Sequence, residues 1–268
     1  MLNDPERIDE LIAFQKKHAA FCERLLGHYY VEVLKPGDTF IDVGARVGHH
    51  LFPMARRVGK SGRGIGIEAS PDVAAALVAQ VGNDPLYKDH VKIVEGAAAD
   101  REGSATFYVR ANFSGWSSLY EDHVHPGEEG EDRAVEVAFV QLDKIAEAEG
   151  LTSCAFIKLD IEHAEFPALR GGRRLLKELR PVICFENAPR KAGQLNGYTM
   201  AEFAGFFEDL EYELYDIFLN KVTRQRLTYD KVLPSYYLAW PAERGILSAE
   251  FIASAETVAQ EFMDRAEA

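Results

Sequence analysis

Seven short apolar segments, spaced by stretches that read as helix, leave this chain few architectures to choose from. They are Thr39–Val43, Ile65–Glu68, Val91–Glu95, Ala155–Asp160, Pro181–Glu186, Tyr212–Phe218 and Ser235–Trp240. Near-continuous apolar runs suit strands covered on both faces. Between them, Ser70-Pro71 marks a helix start ahead of Val73–Val81, and Thr199-Met200-Ala201-Glu202 has the capping-box pattern ahead of Phe203–Leu210. A further helical stretch, Ala164–Leu179, is weakened by Gly171-Gly172. Strand and helix in alternation predict a doubly wound α/β domain with a seven-stranded, mostly parallel sheet and helices on both faces. Its ligands belong at the carboxyl ends of the strands.

Two regions depart from the alternation. Ile8, Leu11, Ile12, Ala19, Cys22 and Leu26 recur at three- and four-residue steps, predicting an N-terminal helix that ends near Gly27. We take residues 1–35 as a helical lead-in and 36–268 as the sheet domain. The apolar stripe of that helix would also suit packing in a homo-oligomer. The gap Gly96–Ser153 is too long for one helix. Ala105–Val109 and Val135–Val140 read as extra strands, giving a β-rich insertion at about 101–150 between the third and fourth strands. Within it, Trp116 is a candidate substrate lid or a buried residue, and the acidic loop Glu121–Arg133, with His123 and His125, reads as a solvated lid ahead of the alternative of a metal at the two histidines. The tail after Leu247 is helical, with Phe251, Ile252, Val258 and Phe262 as its apolar positions.

Charge narrows the partners. Thirty Lys and Arg face 43 Asp and Glu, a formal charge of −13, which repels phosphate backbones and argues against nucleic acid. No apolar run reaches the roughly 18 residues a membrane span needs. Met1–Glu10 has no signal-peptide core, so a cytoplasmic location is the expectation. Cys22, Cys154 and Cys184 are an odd number without metal spacing, and the last two read as small core residues.

The chemistry gathers after the first strand, at Asp42-Val43-Gly44-Ala45-Arg46-Val47-Gly48. Gly44 and Gly48 would let backbone approach a ligand at a helix start, where free N–H groups are expected. Glu68 ends the second strand, where its two oxygens would accept both hydroxyl protons of a ribose. The dinucleotide pattern Gly-x-Gly-x-x-Gly is absent, as is a phosphate loop. An acid beside the turn suits a cofactor carrying an ammonium group, which points to S-adenosylmethionine (SAM). A nucleotide-binding oxidoreductase is the rival that NAD(H) binding would revive.

From about Leu34 to Asn187 the chain resembles the FkbM-type family of class I SAM-dependent methyltransferases. The resemblance rests on Phe40-Ile41-Asp42-Val43-Gly44-Ala45, Gly66-Ile67-Glu68, Ala98-Ala99-Asp100 with Gly103, and Leu142-Asp143. Above all it rests on Phe156-Ile157-Lys158-Leu159-Asp160-Ile161-Glu162-His163-Ala164-Glu165, continued by Pro181 and Glu186. It implies a Rossmann-like fold and, most often, O-methylation of hydroxyls on natural products or sugars. Carried over, Asp42, Gly44, Ala45, Arg46, Gly48, Glu68, Ala97, Ala98 and Asp160 would line the cofactor. Three residues depart from the family pattern. Arg46 stands where Asn is usual, Leu51 where Thr is common, and His163 where Gly is usual.

At the strand ends, the candidate catalytic residues are Asp160, His163 and Glu186. In one mechanism Asp160 or His163 is the general base for an acceptor hydroxyl. In another, Asp160, Glu186 and Asn187 hold Mg²⁺ through oxygen ligands, an arrangement similar to that of catechol-type O-methyltransferases. Glu162 and Glu165 also suit the first turn of a helix. Lys158, inside a strand, is expected to pair with a buried acid. His49-His50 would either start a helix or reach cofactor or substrate. The acceptor pocket is expected to use the insertion and the N-terminal helix. N- or C-methylation, or SAM binding without catalysis, remain alternatives.

Overall fold

In a computed structural model of the chain, residues 19–110, 116–121, 132–230, 233–245 and 247–266 are described, with side chains up to residue 261. Helix α1 spans Ala19–Val33. Then β1 (Thr39–Val43), α2 (Leu51–Val58), β2 (Arg63–Glu68), α3 (Pro71–Asn83) and β3 (Val91–Glu95) form the first half of the sheet. The insertion adds β4 (Ala97–Ala98), β5 (Ser104–Val109), β6 (Arg133–Val140) and α4 (Leu142–Ala148). The second half follows as β7 (Phe156–Leu159), α5 (Glu165–Arg170), α6 (Arg173–Leu179), β8 (Val182–Glu186), α7 (Pro189–Asn196) and α8 (Met200–Asp209). The chain continues through β9 (Tyr212–Asp216), α9 (Arg224–Tyr229), β10 (Tyr236–Pro241) and α10 (Ala249–Ala266).

The seven-stranded sheet has the order β3-β2-β1-β7-β8-β10-β9. All neighbours are parallel except β10, which runs antiparallel to both β8 and β9. The chain winds outward from β1 to β3, then returns to β7 on the other side of β1. The crevice between the tips of β1 and β7 is therefore a topological switch point, where ligands bind in such folds.

Side-chain alternation splits the core in two. Phe40, Phe156 and Cys184 pack with α1, α2 and α10 on one face. Their neighbours Ile41, Ile157 and Ile183 pack with α4, α5, α6 and α8 on the other. Both faces are covered, which is why these strands read as continuous apolar runs. All three cysteines are buried, and burial pushes the Cys22 and Cys154 thiols up to about 12.

Several sequence expectations need correction. The first helix continues past Gly27 to Val33, because Tyr29 and Tyr30 carry its buried face onward. Ile8, Leu11 and Ile12 lie outside the described residues. Ser70 occupies the N-cap of α3, but its hydroxyl makes no capping bond. The 164–179 stretch is two helices, broken at Gly171-Gly172. Strand β9 stops at Asp216, and Ile217-Phe218 turn. His123 and His125 fall outside the described residues, as does the side chain of Phe262. No helix among the described residues is long and apolar enough to cross a membrane.

Candidate active site

The turn after β1 is held by backbone bonds. Gly44 and Ala45 N–H groups both donate to Ile67 O, at 2.9 and 3.0 Å, and Gly48 N–H donates to Ala45 O. Arg46 N–H donates to Glu68 Oε2 at 2.8 Å. Helix α2 does not begin until Leu51. Four N–H groups of the turn, those of Gly44, Ala45, Arg46 and Gly48, are thus engaged within the protein.

Glu68 anchors the arrangement. Its Oε1 accepts from Ser70 N–H at 2.8 Å, so each oxygen has one backbone partner and acceptor capacity to spare. Burial raises its carboxyl pKa, although the two backbone bonds pull the other way. Gly44 is required where it is. Its φ is +80°, and a Cβ there would stand 2.1 Å from Asp160 O. Gly48, with φ +83°, has no room beside Phe52.

Facing this turn, Asp42 on β1 is the register partner of Lys158 on β7. Lys158 Nζ lies 3.6 Å from Asp42 Oδ1 and 3.6 Å from Asp160 Oδ2. Burial alone would discharge Lys158, but Asp42, Asp160 and Glu23 raise its pKa instead. The expected pairing of Lys158 with buried acid is what the structure shows. Beyond β7 the chain reverses tightly, with positive φ at Glu162 (51°) and His163 (80°). Glu165 clamps the reversal, its Oε1 accepting from Ile161 N–H at 2.8 Å. Asn196 Nδ2 donates to His163 O at 2.9 Å, while Asn196 Oδ1 accepts from Tyr120 of the insertion.

One cavity runs across these parts. Of the residues expected to line a cofactor, Gly44, Ala45, Arg46, Glu68, Ala97, Ala98 and Asp160 line this cavity. Asp42 and Gly48 do not; they sit behind the wall and shape the turn. His163 and Glu186 also lie outside the lining. Burial pushes the Glu186 carboxyl well above its ordinary range, and the negative charges of Asp160, Glu162 and Glu165 add to this. Asn187, next to it, is buried and donates to Tyr198 Oη at 3.3 Å. The insertion supplies a wall through Phe107, Ser117 and Leu119, but Trp116 is not part of it.

Glu23, His49 and His50 line the same cavity. Glu23 Oε2 is 2.6 Å from His50 Nε2, and Tyr236 Oη donates to Glu23 Oε1 at 3.1 Å. Burial pushes the Glu23 carboxyl up, but His50, Lys158 and Tyr236 outweigh it and hold the pKa below its ordinary value. Sequence reasoning missed Glu23. The available signal was an acid three residues before Leu26 and seven before Tyr30, on the helix face they bury.

Comparison with known proteins gives a family match. The methyltransferase FkbM domain matches residues 42–214, more than half of the chain. Protein-L-isoaspartate O-methyltransferase 1 of Arabidopsis thaliana is 32% identical over 112 residues, 40% of this chain and 41% of its own length. The Triticum aestivum protein-L-isoaspartate O-methyltransferase is 31% identical over 109 residues, with the same coverage of 40% and 41%. The chain thus matches about two fifths of the length of these curated relatives. Among solved structures, methyltransferase FkbM from Methylobacillus flagellatus aligns with 87% of this chain and 62% of its own, at 14% identity and a TM-score of 0.44. Aeropyrum pernix fibrillarin, solved with natively bound S-adenosyl-L-methionine, aligns with 76% and 67%, at 12% identity and a TM-score of 0.40.

Proposed function

This chain belongs to the FkbM methyltransferase family, and we propose that it moves a methyl group from SAM to a hydroxyl oxygen of a small acceptor molecule. One observation carries the reading. A single cavity is lined both by Gly44–Arg46, Glu68 and Ala97-Ala98 and by the polar side chains of Asp160, Glu162, Glu23, His49 and His50.

The donor set fits SAM. Glu68 has acceptor capacity left on both oxygens for a ribose diol. The acids Asp160 and Glu162 suit the positive charges of a sulfonium and an ammonium. The absence of a Gly-x-Gly-x-x-Gly pattern argues against a pyrophosphate, and so against the oxidoreductase rival.

When bound, SAM supplies a methyl group activated by its sulfonium. An attacking aliphatic hydroxyl is a weak acid and must lose its proton. We assign Asp160 as the base, because it alone of the three sequence candidates lines the cavity. Its side chain is 30% exposed, and Lys158 fixes one oxygen from behind. His163 and Glu186 support the reversal and the strand tip. Glu186 is a poor base, since burial and its acidic neighbours favour its protonated form. The second reading, with Mg²⁺ on Asp160, Glu186 and Asn187, is supported by one observation. Asn187 Oδ1 is buried without a hydrogen-bond partner, beside two carboxylates that repel each other.

The test is an acceptor screen with methyl-labelled SAM, run with Mg²⁺ and with a chelator. Label on an acceptor oxygen is expected, with kcat lowered roughly 10²- to 10⁴-fold in Asp160→Asn. Label on nitrogen or carbon contradicts the assignment, and SAM binding without turnover of any acceptor favours the non-catalytic alternative.

A further inference from the structure

The cavity wall carries a group of side chains to which the methyl-transfer reading gives no chemical step. Glu23, from α1, and His49 and His50, from the turn before α2, each offer one ligand atom, and these atoms all lie within 4.8 Å of one another. Among the described residues this is the one such group of three or more His, Cys, Asp or Glu side chains. All three residues line the cavity.

The chemistry of the group is that of a metal ligand set. Two imidazoles and a carboxylate form a mixed nitrogen and oxygen site, which suits zinc and neighbouring transition ions better than Mg²⁺. His50 Nε2 and Glu23 Oε2 stand 2.6 Å apart, sharing a proton. Ligand atoms on a tetrahedral ion stand about 3.4 Å apart, so an ion would replace that proton with a shift of under about 1 Å. His50 is 6% exposed, and its Nδ1 is buried with no hydrogen-bond partner. Its ring is wedged edge-on against both Tyr30 and His49. Glu23 is oriented from behind by Tyr236, the kind of outer support that metal-binding carboxylates have. His49 is exposed, which gives an ion a way in. The nearby positive charge of Lys158 is neutralised by Asp42 and Asp160.

We propose that Glu23, His49 and His50 bind a divalent transition-metal ion of the zinc class in the wall of this cavity. Three protein ligands leave a coordination position open, as catalytic ions require. The site itself does not depend on the methyltransferase reading. Its use does rest on that reading: the open position would take the acceptor hydroxyl, lower its pKa and pass its proton to Asp160.

The direct test is titration of chelator-treated protein with Co²⁺, followed by visible absorption, with Zn²⁺ as competitor. The expected result is a tetrahedral or five-coordinate cobalt spectrum that saturates at one ion per chain and is abolished by Zn²⁺. Glu23→Gln and His49→Ala should each weaken binding at least tenfold. His49 is exposed, so its variant keeps the fold even if Glu23→Gln does not; circular dichroism checks both. Absorption that stays that of aqueous Co²⁺ overturns the proposal and leaves a Glu23–His50 hydrogen bond only. Binding that survives both substitutions but is lost in Glu186→Gln moves the ion to the strand tips and also overturns it. SAM titration of the metal-free protein is read separately, so failure of the cofactor reading is not mistaken for failure of the metal site.

Discussion

Single residues in the site occupy backbone that their side chains disfavour. Arg46, Glu162 and His163 all have positive φ, a region where a Cβ crowds the following carbonyl. The family resemblance puts Asn in the place of Arg46 and Gly in that of His163, the two residue types that enter this region most readily. The departures legible in the sequence thus keep the turn and exchange what projects from it. Glu165 shows what the sequence could not convey. It reads as an acid at a helix start, yet it is fully buried and clamps Ile161 N–H. Burial raises its pKa from 4.5 to about 8, with Asp160 and Glu162 adding to the shift. The folded state then holds a proton that the unfolded state releases, so this residue's contribution to stability is lost as pH rises from about 4.5 through about 8. Glu165→Gln removes that dependence. Its stability relative to wild type should rise with pH over the window, by a few kcal/mol, and level off above it. Urea unfolding at a series of pH values measures the difference, and a constant difference contradicts the assignment.

At the scale of elements, close approach decides what propensity leaves open. The stretch after Ala164 has helical periodicity throughout but breaks at Gly171, where a Cβ would stand 2.0 Å from Ala99 O. The break lets α5 and α6 lie against the insertion. Gly171→Ala is expected to cost about 2 kcal/mol or more. Gly82, inside α3 with open space around its Cβ position, is the control: Gly82→Ala should stabilise by about 0.5–1 kcal/mol. Denaturant midpoints of the two variants should move in opposite directions. The strands of the seven-stranded sheet were readable to within a residue or two, because the central ones are apolar runs buried on both faces, while β4, only two residues long, was not. Helices α4, α7 and α9 were not, since with seven, eight and six residues they are too short to display a 3.6-residue period.

Across the whole molecule, the site is built from pieces that only the winding of the chain brings together. The cavity wall at β1, its turn and Glu68 was legible because these pieces are local in sequence and tied by the parallel register of β1 and β2. The rest of the cavity wall joins α1 through Glu23, the insertion through Phe107 and Ser117, and the β7 tip through Asp160. No periodicity links residues so far apart, so the helical face that carries Glu23 did not by itself point to the cavity, and Asp42 and Gly48 fall outside the cavity lining although they lie in the same turn. The central claim is that this cavity holds SAM with Glu68 as the ribose acceptor. Isothermal titration of the protein and of Glu68→Ala with SAM tests it most directly. The account predicts micromolar binding that the substitution weakens by tenfold or more, about 1.4 kcal/mol. No heat at millimolar SAM at two temperatures, or equal affinity in the two proteins, would contradict it.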